Sequence, residues 1–316
     1  MSDPSASSAS RDQSVANIVT RALIDSGILA TTKYRSDFEV VSAWKRDIAN
    51  DPNPLLRCGA KAYSQFDEDG ILFEILRRLG LGTGRFLEIG VGDGTENNTL
   101  ALLANGWRGH WVGAQPLAWN PSGHRLTFTQ AFVTLDNLAS LLPTDACDVC
   151  SLDIDGNDYW IGQALLARIQ PRVFVVEYNA KLIPPIRFTL PYEPTMVWTG
   201  DDFFGASLMQ WHDVFVRHGY RLVCCSYCGV NAFFVRDPGR AFDDVPSDPA
   251  AVFRPAMYAP FPVLVGHPTS VRTLAAFGRQ EVSRWRPCVI LLDPKAPRGG
   301  LERARPRARC VSVEHV

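Results

Sequence analysis

From residue 85 to residue 179 the chain alternates short apolar runs with amphipathic stretches, and this rhythm limits the fold more than any other feature. "GRFLEIG", "GHWVGAQ", "LTFTQAFV", "CDVCSLDID" and "PRVFVVEYN" are strand-sized runs. Between them lie "ENNTLALLANG", "LDNLASLLP" and "YWIGQALLARI", with apolar residues at helical spacing. Strands that alternate with helices predict a parallel sheet covered by helices on both faces. After Asn179 the rhythm changes. A long Pro-rich loop leads to the amphipathic segment "DDFFGASLMQWHDVFVRHG", which reads as a helix. "YRLVCCSYCGVNAFFVRD" then reads as two strands joined by a tight turn at Gly229. The expected fold is α/β, a mostly parallel sheet with an antiparallel terminal hairpin.

The flanks divide the chain further. Residues 1–14 read as a disordered leader and 15–60 as a helical extension, with helices over 15–31 and 37–49 and a breaker at "DPNP". The α/β domain spans 61–240 and begins with "SQFDEDGILFEILRRLG", a helix with Ser64 as its expected N-cap and Gly80 as its stop. A Pro-rich extension with a basic tail fills 241–316 and reads as solvated rather than as a polyanion-binding arm.

A net charge of −1 provides no global basic field for nucleic acid. No apolar run approaches the roughly 20 residues of a membrane span. The polar N-terminus lacks the apolar core of a secretion signal, so the expected compartment is the cytoplasm. Of the eight cysteines, Cys147/Cys150 and Cys224/Cys225/Cys228 have spacings that zinc would use only if both groups converged. Their strand-like surroundings read instead as reduced core thiols.

"FLEIGVGDGTENNT" places Gly90, Gly92 and Gly94 directly after the first strand. A glycine turn between strand and helix lets backbone approach a ligand without an intervening Cβ. A pyrophosphate would be opposed by Asp93 and Glu96, whereas a cationic centre such as a sulfonium suits the turn. G-x-G-x-G after an acid, here Glu88, is the usual first motif for S-adenosylmethionine. A second acid is expected where strand two ends, to hold the ribose hydroxyls, and this chain has Gln115 there. A Gln amide still hydrogen-bonds a diol, without the strength of a charged acceptor.

"SLDIDGNDYW" ends strand four with Asp153, Asp155 and Asp158, and "VVEYNA" ends strand five with Glu177 and Asn179. In an open parallel sheet these positions share one crevice with the glycine turn. Asp153, Asp155 and Glu177 are the catalytic candidates. They would hold the cofactor's amino end, act as a general base, or, with Asn179, bind Mg²⁺ through hard oxygens; a metal set and a hydrogen-bonded network both remain open.

In this order, "SQFDEDGIL", "FLEIGVGDGTENNT", "LDIDGNDYW", "VFVVEYNA", "FFGASL" and "GYRLV…GVNAFFVRD" resemble the FkbM-type class I methyltransferases, in a mostly uncharacterised bacterial branch, over roughly residues 60–240. The resemblance implies a Rossmann-like seven-stranded sheet, S-adenosylmethionine as cofactor, and O-methylation of a small-molecule hydroxyl, often on a sugar or secondary metabolite. It implies that Glu88, Gly90, Gly92 and Asn97 sit in the cofactor turn, that Gln65 and Asp69 reach it from the preceding helix, and that Asp153 and Asp155 close the pocket. Asp93, Gln115 and Asp136 complete the expected cofactor set. Gln115 departs from the family pattern, and about 75 C-terminal residues have no counterpart in it.

His124, His212 and His218 are the remaining candidate bases, read as surface or core-edge residues. The loop over 181–202 is long enough to serve as a substrate lid, with Tyr192, Glu193 and Trp198 as expected contacts. Two further readings stand beside the methyltransferase. One is a non-catalytic Rossmann-like binding protein, motivated by Gln115 and the cysteine-rich hairpin. The other is a nicotinamide-dependent oxidoreductase, opposed by the acidic glycine turn and the reversed terminal strand.

Overall fold

A computed structural model describes residues 39, 42–121, 125–198 and 204–257. The expected leader, the helix over 15–31, His124 and the basic tail lie outside the described residues. In chain order the elements are α1 (Pro54–Arg57), α2 (Glu68–Arg78), β1 (Arg85–Ile89), α3 (Leu100–Ala104), β2 (Arg108–Gly113), β3 (Leu126–Gln130) and α4 (Leu138–Leu141). They continue with β4 (Val149–Leu152), α5 (Asp158–Leu166), β5 (Val173–Glu177), α6 (Leu208–Arg217), β6 (Tyr220–Cys225), β7 (Asn231–Arg236) and α7 (Pro249–Val252).

The seven strands form one sheet in the order β3-β2-β1-β4-β5-β7-β6. Six strands run in one direction, and β7 runs antiparallel between β5 and β6. This is the Rossmann-like, mostly parallel sheet with a reversed terminal hairpin. The reversal of strand order between β1 and β4 leaves a crevice at the carboxyl ends of the strands.

Successive side chains of a strand point to opposite faces, so each strand feeds two cores. Val173 and Val175 of β5 pack on one face with Phe233 and Val235 of β7. Phe174 and Val176 pack on the other with Ala232 and Phe234. On the first face, α2 contributes Ile71, Leu72, Ile75 and Leu76, and α3 contributes Leu100–Leu103. On the second, α5 and α6 contribute Ile161, Leu165, Trp211 and Phe215. The core reaches beyond residues 61–240: Trp44, Ile48, Leu55 and Leu56 precede it, and Phe242, Val245 and Val252 follow.

Ser64 is not the cap of α2, which starts at Glu68 after Asp67. The chain over 59–67 is held instead by buried acceptors, as described below. α2 ends as expected: Leu81 N–H donates to Leu76 O at 2.9 Å and Gly80 N–H to Arg77 O at 3.1 Å, a Schellman turn. α6 starts at Leu208, later than the amphipathic pattern suggested, because the Ser207 side chain accepts the Gln210 N–H and caps the helix there.

The cysteines divide among separate packing clusters. Cys224 enters the first core, Cys150 and Cys225 the second, and Cys228 packs with Phe66 and Val230. Burial pushes the Cys225 thiol up to about 12, as it does that of the partly buried Cys147. No helix among the described residues is long and apolar enough to cross a membrane.

Candidate active site

The crevice at the strand ends is a cleft of about 840 Å³. The glycine turn forms one wall. Gly90 has φ +95°, and a Cβ there would lie 1.4 Å from the Asp153 carbonyl oxygen, so only glycine fits. Gly90 N–H still donates to Val112 O at 2.8 Å, and Asp153 N–H donates to Ile89 O at 3.0 Å. The ends of β2, β1 and β4 are therefore in register where the cleft opens. Gly92 follows with φ +53° and empty space around its Cβ position. Asp93 accepts the Thr95 N–H and hydroxyl at 3.0 and 2.6 Å, which folds the turn beneath the cleft.

On the β1–β3 side, Gln115, Ala131, Phe132 and Val133 also line the cleft. On the β4–β5 side the lining includes Asp153, Asp155, Asn157, Glu177, Lys181, Met196, Trp198 and Phe204. Gln65, Phe66 and Val230 complete it. Of the expected cofactor set, the structure thus brings Gln65, Gly90, Gly92, Asp93 and Gln115 to the cleft, along with Trp198 from the expected substrate set.

The acids form a tight group. Carboxyl oxygens of Asp153, Asp155 and Glu177 all lie within 4.8 Å of one another. Each keeps some surface toward the cleft, yet desolvation is the largest effect on all three and raises their pKa values above the ordinary carboxylate range. For Asp153 and Glu177 the neighbouring carboxyls add further upward pressure, and the two lie within hydrogen-bonding reach of each other. Carboxyls this close titrate as a pair rather than independently. Glu177 Oε2 is buried without a hydrogen-bond partner.

Asp158, the third acid of "LDIDGND", has a different task. Its carboxyl accepts the N–H of Ile154 at 2.7 Å and of Gly156 at 2.8 Å. Burial pushes its pKa up to about 6 against those hydrogen bonds. It shapes the loop in which Asp155 adopts φ +57°, an uncommon backbone for a residue with a Cβ.

Several expected site residues are not in the cleft. Glu88 is buried, and its carboxyl accepts the N–H groups of Asn98 and Thr99 at 2.9 and 3.1 Å. Asn97 is also buried and donates to Val91 O at 3.2 Å. Asp69 Oδ2 accepts the N–H groups of Ala62, Tyr63 and Ser64 at 2.6–2.9 Å, together with the Ser64 hydroxyl. Buried acceptors were needed to hold these loops, and the acids serve the chain's own backbone. Asp136 is exposed outside the cleft. Asn179 is fully buried, its amide donating to Phe204 O at 3.2 Å and accepting from Lys181 N–H at 3.2 Å, which tethers the loop rather than lining the cleft. The Tyr192 hydroxyl accepts the Leu135 N–H at 3.0 Å. The Glu193 backbone pairs with the Asn157 amide at 2.7 and 3.3 Å. Both pin the loop over the acids without reaching the lining. His212 and His218 lie on and just after α6, away from the cleft.

Residues missed in the sequence are Phe132, Lys181, Met196 and Asn157. Phe132 lies two residues past the end of β3, a position whose crevice role was legible from topology alone.

No family model matches the sequence, and neither does any curated protein. Among solved structures the chain is similar to the 1,6-didemethyltoxoflavin-N1-methyltransferase of Burkholderia thailandensis, bound to 1,6-didemethyltoxoflavin and S-adenosylhomocysteine. Identity is 16% over 65% of this chain and 87% of that one, with a TM-score of 0.35. It is similar to the precorrin-6y C5,15-methyltransferase of Geobacter metallireducens GS-15 at 17% identity over 56% and 91% of the two chains, TM-score 0.32. It is similar to the glycopeptide N-methyltransferase MtfA at 17% identity over 58% and 96%, TM-score 0.34. These are likenesses of fold alone.

Proposed function

We propose that the chain is an S-adenosylmethionine-dependent methyltransferase that methylates a hydroxyl of a small molecule in a reducing, cytoplasmic compartment. One observation carries the reading: a glycine turn that admits no Cβ at Gly90 opens directly beside the carboxyl groups of Asp153, Asp155 and Glu177. Backbone approach on one side and negative charge on the other suit a ligand with a sulfonium and an ammonium. When bound, S-adenosylmethionine would supply an electrophilic methyl group.

The chain's own residues then have three tasks. Gly92, with open space at its Cβ position, admits the ligand close to backbone. Gln115, at the end of β2, is placed for the ribose hydroxyls. A carboxylate of the Asp153–Glu177 pair accepts the proton of an acceptor hydroxyl, and the walls hold donor and acceptor in line. The reversed strand β7 and the acids of the glycine turn favour this reading over a nicotinamide enzyme.

The same three carboxyl groups would hold a Mg²⁺ ion, to which Glu177 Oε2 offers an unpaired hard oxygen. A cation there would lower the pKa of the acceptor hydroxyl. Chelation tests this arm: activity lost with a chelator and restored by Mg²⁺ supports it, and unchanged activity removes it.

Calorimetric titration with S-adenosylmethionine tests the whole proposal. Saturable binding that is lost in Gly92→Val is expected. No binding at millimolar cofactor overturns it. A non-catalytic ligand-binding protein would bind the cofactor yet retain its biological phenotype in Asp153→Asn, whereas the enzyme would lose it.

A further inference from the structure

We propose that the acceptor is a flat, apolar molecule such as a hydroxylated aromatic ring, not a sugar. The inference rests on the methyltransferase reading and concerns the β4–β5 half of the cleft.

That half has two unlike surfaces. The acids of Asp153 and Glu177 lie at the strand ends and form the polar floor. The loop between β5 and α6 lines the same half with Met196, Trp198 and Phe204. Trp198 and Phe204 meet edge to face with centroids 5.9 Å apart. Met196 Cγ lies 2.9 Å from where a Cβ on Gly156 would be, so the loop rests on the acid-bearing turn. Tyr192 and Asn157 fix that loop through the hydrogen bonds described above. Trp198 keeps 43% of its surface exposed while lining the cleft.

A ligand placed there meets a thioether, an indole and phenyl rings on its face and carboxyl groups at one edge. Sugar hydroxyls project around the whole ring, and those set against Met196, Trp198 and Phe204 would lose water without gaining a partner. An aromatic ring presents apolar faces to the wall and stacks favourably on indole and phenyl groups. Its single hydroxyl, at the edge, reaches the floor. In the transfer, the acceptor oxygen forms a bond to the methyl carbon as the carbon–sulfur bond breaks with its electron pair left on sulfur. The hydroxyl proton passes to a carboxylate of the Asp153 and Glu177 floor, and the donor leaves as a neutral thioether.

The test is calorimetry on the full chain saturated with S-adenosylhomocysteine, titrated with 2-naphthol or with methyl glucoside. The expected result is sub-millimolar binding of 2-naphthol and none of methyl glucoside. Trp198→Ala should weaken 2-naphthol about tenfold while leaving S-adenosylhomocysteine affinity unchanged, because the indole lies outside both cores of the sheet. Met196→Ala should act in the same direction. Binding of the glucoside but not of 2-naphthol overturns the inference, as does 2-naphthol affinity unaffected by both variants. Failure of S-adenosylhomocysteine itself to bind the native chain is a separate result: it overturns the methyltransferase reading, and this inference falls with it.

Discussion

Glu88 at the end of β1 receives the Thr99 hydroxyl at 2.5 Å, and the same hydroxyl oxygen accepts the Trp111 indole N–H at 2.9 Å. The acid of the glycine motif thereby ties strand to helix inside the protein. Burial raises its pKa from 4.5 to about 7. Between those values the unfolded chain has released the proton and the folded chain has kept it, so the folded state binds more protons. Stability therefore falls as pH rises through that window and is level above it, with a total loss of about 3 kcal/mol. Urea unfolding of the native chain and of Glu88→Gln across the window checks this. The Gln variant should lack this share of the slope, and two parallel profiles would show that Glu88 does not titrate there.

Gly90 and Gly92 stand two residues apart and should respond to alanine to very different degrees. At Gly90 the new Cβ collides with Asp153 backbone, and φ is +95°. The expected cost exceeds about 3 kcal/mol, and the variant should not accumulate as folded protein. At Gly92 nothing lies within 4 Å of the Cβ position, and φ is +53°. Gly92→Ala should lose only about 1–2 kcal/mol. It should remain folded while binding S-adenosylmethionine several-fold more weakly, since the methyl group occupies space that backbone leaves for the ligand. Circular dichroism with calorimetry separates the two effects.

The behaviour of these glycines was legible in the sequence, because strand, glycine turn and helix follow in a fixed order and a parallel sheet puts their junctions on one edge. Asp153 and Glu177 were legible for the same reason. Glu88, Asp69 and Asn97 were not. A carboxyl or amide at a strand or helix end serves equally to bind a ligand or to accept orphan backbone N–H groups, and sequence spacing does not separate the two. Asp69 shows the difference: three successive N–H groups of residues 62–64 converge on one of its oxygens. Met196 and Lys181 come from the 181–198 loop, which has no periodicity to reveal which side chains turn inward.

Burial raises the pKa of both Asp153 and Glu177, and each carboxyl pushes the other's further up. For an acid with a raised folded-state pKa, stability declines as pH rises above its unfolded value, because ionising the group costs more in the folded chain. Glu177→Gln removes that penalty. It should raise Tm at mildly alkaline pH by about 3 °C and flatten the decline with pH. Methyl transfer should fall sharply in the same variant, since one of the two carboxyls that take up the proton is lost. Gain in stability with loss of turnover is the pattern of a site strained for function. A variant no more stable than the native chain would mean that the two carboxyls are not forced together, and differential scanning calorimetry at two pH values decides.

Gln115 lines the cleft at the end of β2, where a carboxylate would hold ribose hydroxyls. If the amide occupies that role, restoring the charge should strengthen it. A hydrogen bond to a charged group contributes about 1 kcal/mol more than one between neutral groups, so Gln115→Glu should tighten S-adenosylmethionine binding roughly fivefold. The same change adds negative charge to a cleft already rich in acids, yet it lies on the β1–β3 side, and Asp153 and Glu177 lie on the β4–β5 side. Calorimetry should therefore show tighter binding of both S-adenosylmethionine and S-adenosylhomocysteine, because both carry the ribose. A gain confined to S-adenosylmethionine would trace the effect to its sulfonium charge and remove Gln115 from the ribose site.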